Sequence, residues 1–221
     1  MSNSIRTPES RDWNNFWSLE ETKKFTQVSW SKKRIIRTLS PYINKGKSAL
    51  DAGCGSGFFS KFFCDQDMQT VSLDYSKQAL EIAKAMTEGR TKAIKKDLLF
   101  LDVASEIEER FDVIFSDGLL EHFSAEDQNK IVGNFFSLLK DDGVVVTFVP
   151  NRWSPWQLIR PFFMPGIEET PFVLKDLINV HERNGLTVIQ QGGLNTFPFA
   201  FSPDKFFGRT FGMLLFTVSK K

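Results

Sequence analysis

Apolar and polar positions along the chain switch between two spacings. Short apolar runs bounded by turn residues predict strands at Ser48–Ala52, Thr70–Leu73, Lys92–Lys95, Phe111–Ser116 and Val144–Val149, with two more near Leu186–Gln190 and Met213–Ser219. Between them the apolar residues recur at helical spacing. Phe58, Phe59, Phe62 and Phe63 form a stripe directly after Gly57, and Leu80, Ala83 and Met86 follow Ser76, a good N-cap. Ser124 and Asp127 resemble a capping box ahead of Ile131, Val132, Phe135 and Leu138, a helix expected to stop at Asp142-Gly143. Thr170-Pro171 reads as an N-cap with proline at the first helical position, and Asn184-Gly185 as the stop of that helix. Ahead of the first strand, Ile35, Ile36, Leu39, Tyr42 and Ile43 share one helical stripe. Strands alternating with helices predict an α/β fold whose parallel sheet is covered on both faces. Asn151–Gly166 holds three prolines, two tryptophans and no period, and is expected to be an insertion or lid.

Composition narrows the picture. A length of 221 residues fits one domain, and 41% hydrophobic with 25% charged residues excludes wholesale disorder. A net charge of +1, from 28 basic and 27 acidic groups, argues against dedicated nucleic-acid binding. Cys54 and Cys64 have neither a disulfide framework nor a zinc spacing, so a reducing, cytoplasmic setting is expected. No stretch approaches the ~20 apolar residues of a spanning helix. The first nine residues carry no apolar run, so no secretory leader is expected. Phenylalanine is in excess, 23 against 2 tyrosines. Nine of the 23 fall between Asn151 and Gly212, which marks that stretch as a candidate apolar wall.

The chemistry-bearing pattern is Asp51-Ala52-Gly53-Cys54-Gly55-Ser56-Gly57, between a strand and a helix. Alternate glycines allow a sharp turn and close approach of a ligand to main-chain N–H groups. Phe58 stands where a dinucleotide-binding loop has its third glycine, and no Gly-Lys-Ser/Thr follows for a P-loop. Two further acids end strands: Asp74, 23 residues after Asp51, where a carboxylate can accept from two ribose hydroxyls, and Asp97, where an acceptor can meet an exocyclic amine.

These segments resemble class I S-adenosylmethionine (SAM)-dependent methyltransferases. Ala49–Gly57 looks like their motif I, Ser72-Leu73-Asp74-Tyr75-Ser76 like the ribose-binding strand end, and Phe111–Ser116 through Leu120-Glu121-His122-Phe123 like the fourth-strand motif. Leu138–Gly143 followed by Val144–Asn151 is similar to the fifth-strand motif, with Asp141-Asp142-Gly143 in place of the commoner Pro-Gly turn. The resemblance is strongest to the ubiquinone/menaquinone-biosynthesis, small-molecule branch, and covers about residues 30–150. It implies a Rossmann-like seven-stranded mixed sheet with the last strand antiparallel, in one domain 1–221. Within it, 1–45 would be a helical cap, 46–150 the SAM-binding core, and 151–221 the lid insertion and C-terminal strands. It also implies that Gly53, Gly55 and Gly57 hold the methionine portion, with Asp51 supporting its amino group. Asp74 would take the ribose hydroxyls and Tyr75 would lie against the adenine. Asp97 and the Leu98 N–H would read the adenine edge, with Ser116 and Leu119 on the sulfonium side. One of Lys32, Lys33 and Arg34 would bind the methionine carboxylate.

The acceptor side is less marked. His122, just past the fourth strand, is the candidate general base, because an ordinary imidazole pKa of ~6.5 suits proton transfer. Its rival reading is that Glu121-His122 orients the loop. His181 reads as a solvated helix residue. Asp117 and Asn151 end adjacent strands but are too few for a metal clamp, so no metal site is expected. Arg152 and Arg160 are candidates to orient an acidic group, and Trp153, Trp156, Phe162, Phe163, Met164, Phe197, Phe199, Phe201, Phe206 and Phe207 to wall an apolar acceptor site. Between Thr22 and Leu50 stand eight Lys/Arg and no acid, which fits either a solvated helix face or contact with an anionic membrane. Methyl transfer from SAM to a small, largely apolar or lipid-like acceptor is therefore expected. The alternatives are an RNA-modifying methyltransferase and a catalytically silent SAM-binding subunit.

Overall fold

The computed structural model describes residues 10–99, 103–163 and 169–221. In chain order the strands are β1 (Ser48–Ala52), β2 (Gln69–Asp74), β3 (Lys92–Lys95), β4 (Phe111–Asp117), β5 (Leu139–Pro150), β6 (Thr187–Leu194) and β7 (Leu214–Lys220). The helices are α1 (Ser10–Trp17), α2 (Trp30–Leu39), α3 (Phe58–Asp65), α4 (Lys77–Met86), α5 (Val103–Glu106), α6 (Ala125–Leu138), α7 (Trp156–Phe163), α8 (Leu174–Arg183) and α9 (Asp204–Phe211). The strands make one mixed sheet in the order β3-β2-β1-β4-β5-β7-β6. Pairings from β3 to β5 are parallel, and β7 runs antiparallel to both β5 and β6. All seven expected strands are present.

The apolar patterning decides which helix covers which face. Ile131, Val132, Phe135 and Leu138 of α6 and Leu177 and Val180 of α8 pack with Leu50, Leu73, Ile114 and Val145 on one face. Ile35 and Leu39 of α2 and Phe58, Phe59 and Phe63 of α3 pack with Phe115, Val146, Phe148 and Phe216 on the other. Phe59, Phe115, Phe148 and Phe216 form a chain of ring contacts with centroids 4.5, 6.0 and 5.5 Å apart. The sheet core thus needs little from tyrosine hydroxyls, and part of the phenylalanine excess is spent here.

Helix ends follow local chemistry where a polar side chain reaches the first turn. Ser76 accepts from the Ala79 N–H and Ser124 from the Asp127 N–H, both at 3.2 Å. Three expectations are corrected. The helix after Ser124 ends at Leu138 and the chain passes straight into β5, because Leu139 already pairs with Phe111. Gly143 lies inside that strand, where a Cβ would come within 2.8 Å of Leu139 and 2.9 Å of the Phe111 carbonyl. Thr170 does not cap α8: its N–H donates to the Glu121 carbonyl at 2.7 Å, and Phe172 bridges Asn151, so the helix starts only at Leu174. His181 is not solvated but fully buried, next to Leu177 and Val180 on the face α8 turns to the sheet. Its ring nitrogens face the hydroxyls of Ser219 (3.0 Å) and Thr217 (3.4 Å), and burial pushes its pKa down to about 4. In the segment after β5, α7 occupies part of what the sequence marks as aperiodic. The side chains of Phe162 and Phe163, and Met164 altogether, lie outside the described residues.

Candidate functional site

β1, β2 and β4 end side by side, and their last residues bring the acidic positions together. The Gly53 and Cys54 N–H groups both donate to the Leu73 carbonyl, 2.8 and 3.1 Å away, which ties the glycine loop to the end of β2. Asp74 then bridges two segments. One carboxylate oxygen accepts from the Gly55 N–H at 3.0 Å, the other from the Ser76 N–H at 2.8 Å. Burial nevertheless pushes its pKa up to about 6, against the lowering effect of those N–H groups and that of Tyr75. Asp51, fully buried, accepts from the Ser60 hydroxyl at 2.6 Å, and Ser60 is joined through Ser72 to Thr91. Burial carries the Asp51 carboxyl to about 7.

These groups line a cavity of about 550 Å³, within the range of small-molecule sites. Asp51, Gly53, Gly55, Asp74, Tyr75, Asp97, Leu98, Leu119 and His122 all border it. Gly57 and Ser116 do not. Gly57 has φ +68° and sits against Ala83 of α4, while the buried Ser116 hydroxyl points to Thr147 at 3.4 Å.

The N-terminal segment supplies one wall. Trp17 lies so close to the loop that a Cβ on Gly55 would fall 2.5 Å from its ring. Asn14 accepts from the Ser76 hydroxyl at 2.9 Å, and the Ser56 hydroxyl donates to the Phe25 carbonyl at 2.9 Å. Of the three basic candidates, Lys32 borders the cavity. Its ammonium lies 3.9 Å from the Phe58 ring centroid and donates to the Phe25 and Gln27 carbonyls. Burial lowers its pKa to about 8, opposed by Asp117. Asp117 is raised to about 6 by burial, with Lys32 pulling it down. Arg34 is committed elsewhere, in a buried ion pair with Asp204 (3.3 Å) and a hydrogen bond to Asn195 (2.8 Å). Lys33 lies over the Trp30 ring. The basic run 22–50 is likewise divided, since Lys45 pairs with Asp67 and Lys47 with Asp112.

Glu121, His122, Trp156, Arg160 and Glu169 also line the cavity. His122 is buried, its ring edge-to-face with Trp13 at 4.8 Å and its Nε2 3.9 Å from the Glu121 carboxylate. Glu169 forms an ion pair with Arg160 at 2.7 Å. Burial, then the nearby Glu169, pushes the Glu121 carboxyl well up, and its Oε2 has no hydrogen-bond partner among the described residues. One ligand atom each from Glu121, His122 and Glu169 lie within 4.8 Å of one another, a donor set that also suits a cation. The arrangement places an imidazole among carboxylates at the cavity wall, a set of groups able to exchange a proton. Glu169 has no signal in the sequence: it follows the segment without a period, and the bond from the neighbouring Thr170 N–H to the Glu121 carbonyl sets it beside Glu121.

A model of a family described as methyltransferase domain matches residues 23–191. A ubiquinone biosynthesis O-methyltransferase of Coxiella burnetii (strain Dugway 5J108-111) is 29% identical over 148 residues, 60% of this chain. The match spans 62% of that relative's length. A solved SAM-dependent methyltransferase from Anabaena variabilis ATCC 29413 superposes with TM-score 0.69 at 22% identity, covering 99% of this chain and 98% of that one. An N-methyltransferase from Bradyrhizobium japonicum WM9, solved with S-adenosyl-L-homocysteine, gives TM-score 0.68 at 14% identity over 96% and 97% of the two chains.

Proposed function

The chain belongs to the methyltransferase domain family, and from that premise we propose that it transfers a methyl group from SAM to a small, largely apolar acceptor. The observation that carries this reading is the continuity of one cavity from the glycine loop and Asp74 to Glu121, His122 and Trp156. Its volume of about 550 Å³ suits a nucleoside with a short side chain and part of a second molecule.

Bound SAM supplies a methyl already activated on a sulfonium, open to in-line displacement. The protein's contribution is placement and proton handling. Gly53, Cys54, Gly55 and Ser56 offer a backbone cradle for the methionine portion. Lys32 is the basic group for its carboxylate, because it faces the cavity while Arg34 is held by Asp204. Asp74 would accept from the ribose hydroxyls, Tyr75 would lie along the adenine, and Asp97 with the Leu98 N–H would read its edge. Leu119 and the aromatic walls keep water from the reacting atoms, and holding nucleophile and methyl in line is worth ~7–11 kcal/mol. His122 takes the acceptor's proton, with Glu121 positioning the ring.

The test uses methyl-labelled SAM and a cell extract, separated into lipid, small-molecule, RNA and protein fractions. Label in the lipid or small-molecule fraction is the expected result. Label in RNA would overturn the acceptor class, and bound cofactor with no transfer to any fraction would identify a silent binding protein. In the same assay His122→Gln is expected to lower kcat by about 10²–10⁴-fold while leaving S-adenosylhomocysteine affinity in calorimetry unchanged. An unchanged kcat removes His122 as the base.

A further inference from the structure

The cavity explains the buried aromatics but not the exposed ones. Phe197, Phe199, Phe201, Phe206, Phe207 and Phe211 are all exposed, Phe206 by 78% and Phe201 by 75%. They occupy the turn after β6 and α9, packed along the edge of the sheet. Trp153, Leu158 and Ile159, exposed by 64, 79 and 47%, stand at the root of α7 and on it. The two segments are joined: the Asn151 amide donates to the Thr210 and Gly212 carbonyls at 3.1 and 2.9 Å, and the Ser154 hydroxyl to the Phe211 carbonyl at 3.3 Å. An isolated exposed apolar residue is ordinary, whereas nine on two joined segments mark an interaction surface.

Charge identifies what covers it. Residues 151–163 contain Arg152 and Arg160 and no acid, with Arg160 turned inward to Glu169, and residues 187–212 contain Lys205, Arg209 and one acid, Asp204. That acid is neutralised by Arg34. Arg34 also bonds to the Phe199 carbonyl, which places α2, with Lys33 and Arg37, against the same turn. Exposed phenylalanines on segments that also carry Arg152, Lys205 and Arg209, whose one acid, Asp204, is paired with Arg34, complement an interface that is apolar below and negative above. We propose that the α7 and α9 segments form a docking surface for an anionic lipid bilayer. α7 then has a second consequence. Trp156 and Arg160 border the cavity while Leu158 and Ile159 face outward, so one helix separates the site from the bilayer. The surface stands independently of the methyl-transfer reading, because binding is read without SAM.

The experiment is co-sedimentation of the full chain with phosphatidylcholine vesicles and with vesicles that also contain phosphatidylglycerol. Association with the mixed vesicles is expected, weakening as salt rises. Lys205→Gln with Arg209→Gln is expected to weaken it by about thirtyfold. Phe199→Ser with Phe206→Ser is expected to weaken it by about a hundredfold or more. Both pairs are surface changes, and thermal midpoints of the variants compared with the parent show that the fold is kept. No association with either vesicle, or association untouched by both pairs, overturns the proposal. Loss of a dimer on the Phe→Ser changes in sedimentation, without vesicle binding by the parent chain, would assign the face to a second copy instead.

Discussion

Asp74→Ala is expected to weaken S-adenosylhomocysteine binding by at least about a hundredfold in calorimetry. The carboxylate has two duties that alanine cannot perform. It accepts the Gly55 and Ser76 N–H groups at 3.0 and 2.8 Å, which sets the loop against the start of α4. Its remaining lone pairs face the cavity, where each hydrogen bond to an ionised acceptor is worth ~1.5–3 kcal/mol. Losing two such bonds gives about 10²–10⁴-fold. The pH dependence follows from burial, which raises Asp74 from an ordinary ~3.9 to about 6. The ionised form is the acceptor, so the contribution of Asp74 to affinity is expected to be level above that pH and to fall below it, by at most about tenfold per unit. Asp51, raised by burial to about 7, titrates beside it and adds to the slope. In Asp74→Asn the part of the slope due to Asp74 disappears. The stability of the ligand-free protein runs the other way. A carboxyl whose folded pKa is raised contributes stability that is complete below its unfolded value and is lost as pH rises through about 6 to 7. Affinity of Asp74→Ala within about threefold of the parent would remove the ribose role.

Gly57→Ala is expected to cost stability rather than chemistry. Gly57 has φ +68°, where an L side chain costs ~1–2 kcal/mol, and its Cβ would sit 2.4 Å from the Ala83 α-carbon and 2.7 Å from the Ala83 methyl. The nearer obstacle is main chain, so relief requires α3 and α4 to move apart, and overpacking of this kind costs ~1–3 kcal/mol. The sum, about 2–5 kcal/mol, corresponds to a fall in thermal midpoint of roughly 5–15 °C for a chain of this size. Ala83→Gly in the same chain removes the clash with the methyl but leaves the clash with the main chain, so it should restore only part of the loss. Gly55→Ala behaves differently, since its new Cβ meets the Trp17 ring at 2.5 Å. Trp17→Ala should relieve that clash and leave the backbone strain alone. A Gly57→Ala protein with an unchanged midpoint would show that the helix pair tolerates the separation.

The contrast between the glycines shows where sequence reading stops. Their spacing in Asp51–Gly57 marks a turn with a positive-φ backbone, and the structure has all three in that conformation. What each one makes room for is set by partners distant in sequence: Leu119 for Gly53, Trp17 for Gly55, Ala83 for Gly57. His181 makes the same point from the core. Its sequence reads as a solvated helix position, whereas the fold buries it beside Leu177 and Val180, and the hydroxyls of Ser219 and Thr217 are what make burial tolerable.

The sequence by itself determined the seven strands, the polar caps at Ser76 and Ser124, the helices that cover the sheet, and the acidic strand ends beside a glycine turn. Each of these depends on residues within a few positions of one another, so periodicity and local hydrogen bonding suffice. Tertiary structure decided that Lys32 rather than Arg34 faces the cavity, that Glu169 and Arg160 join Glu121 and His122, and that the phenylalanines of the turn after β6 and of α9 form an exposed face. Those outcomes depend on which segments meet after the chain has crossed the sheet. Desolvation and ion pairing act on whatever that meeting brings together, and no local pattern encodes it.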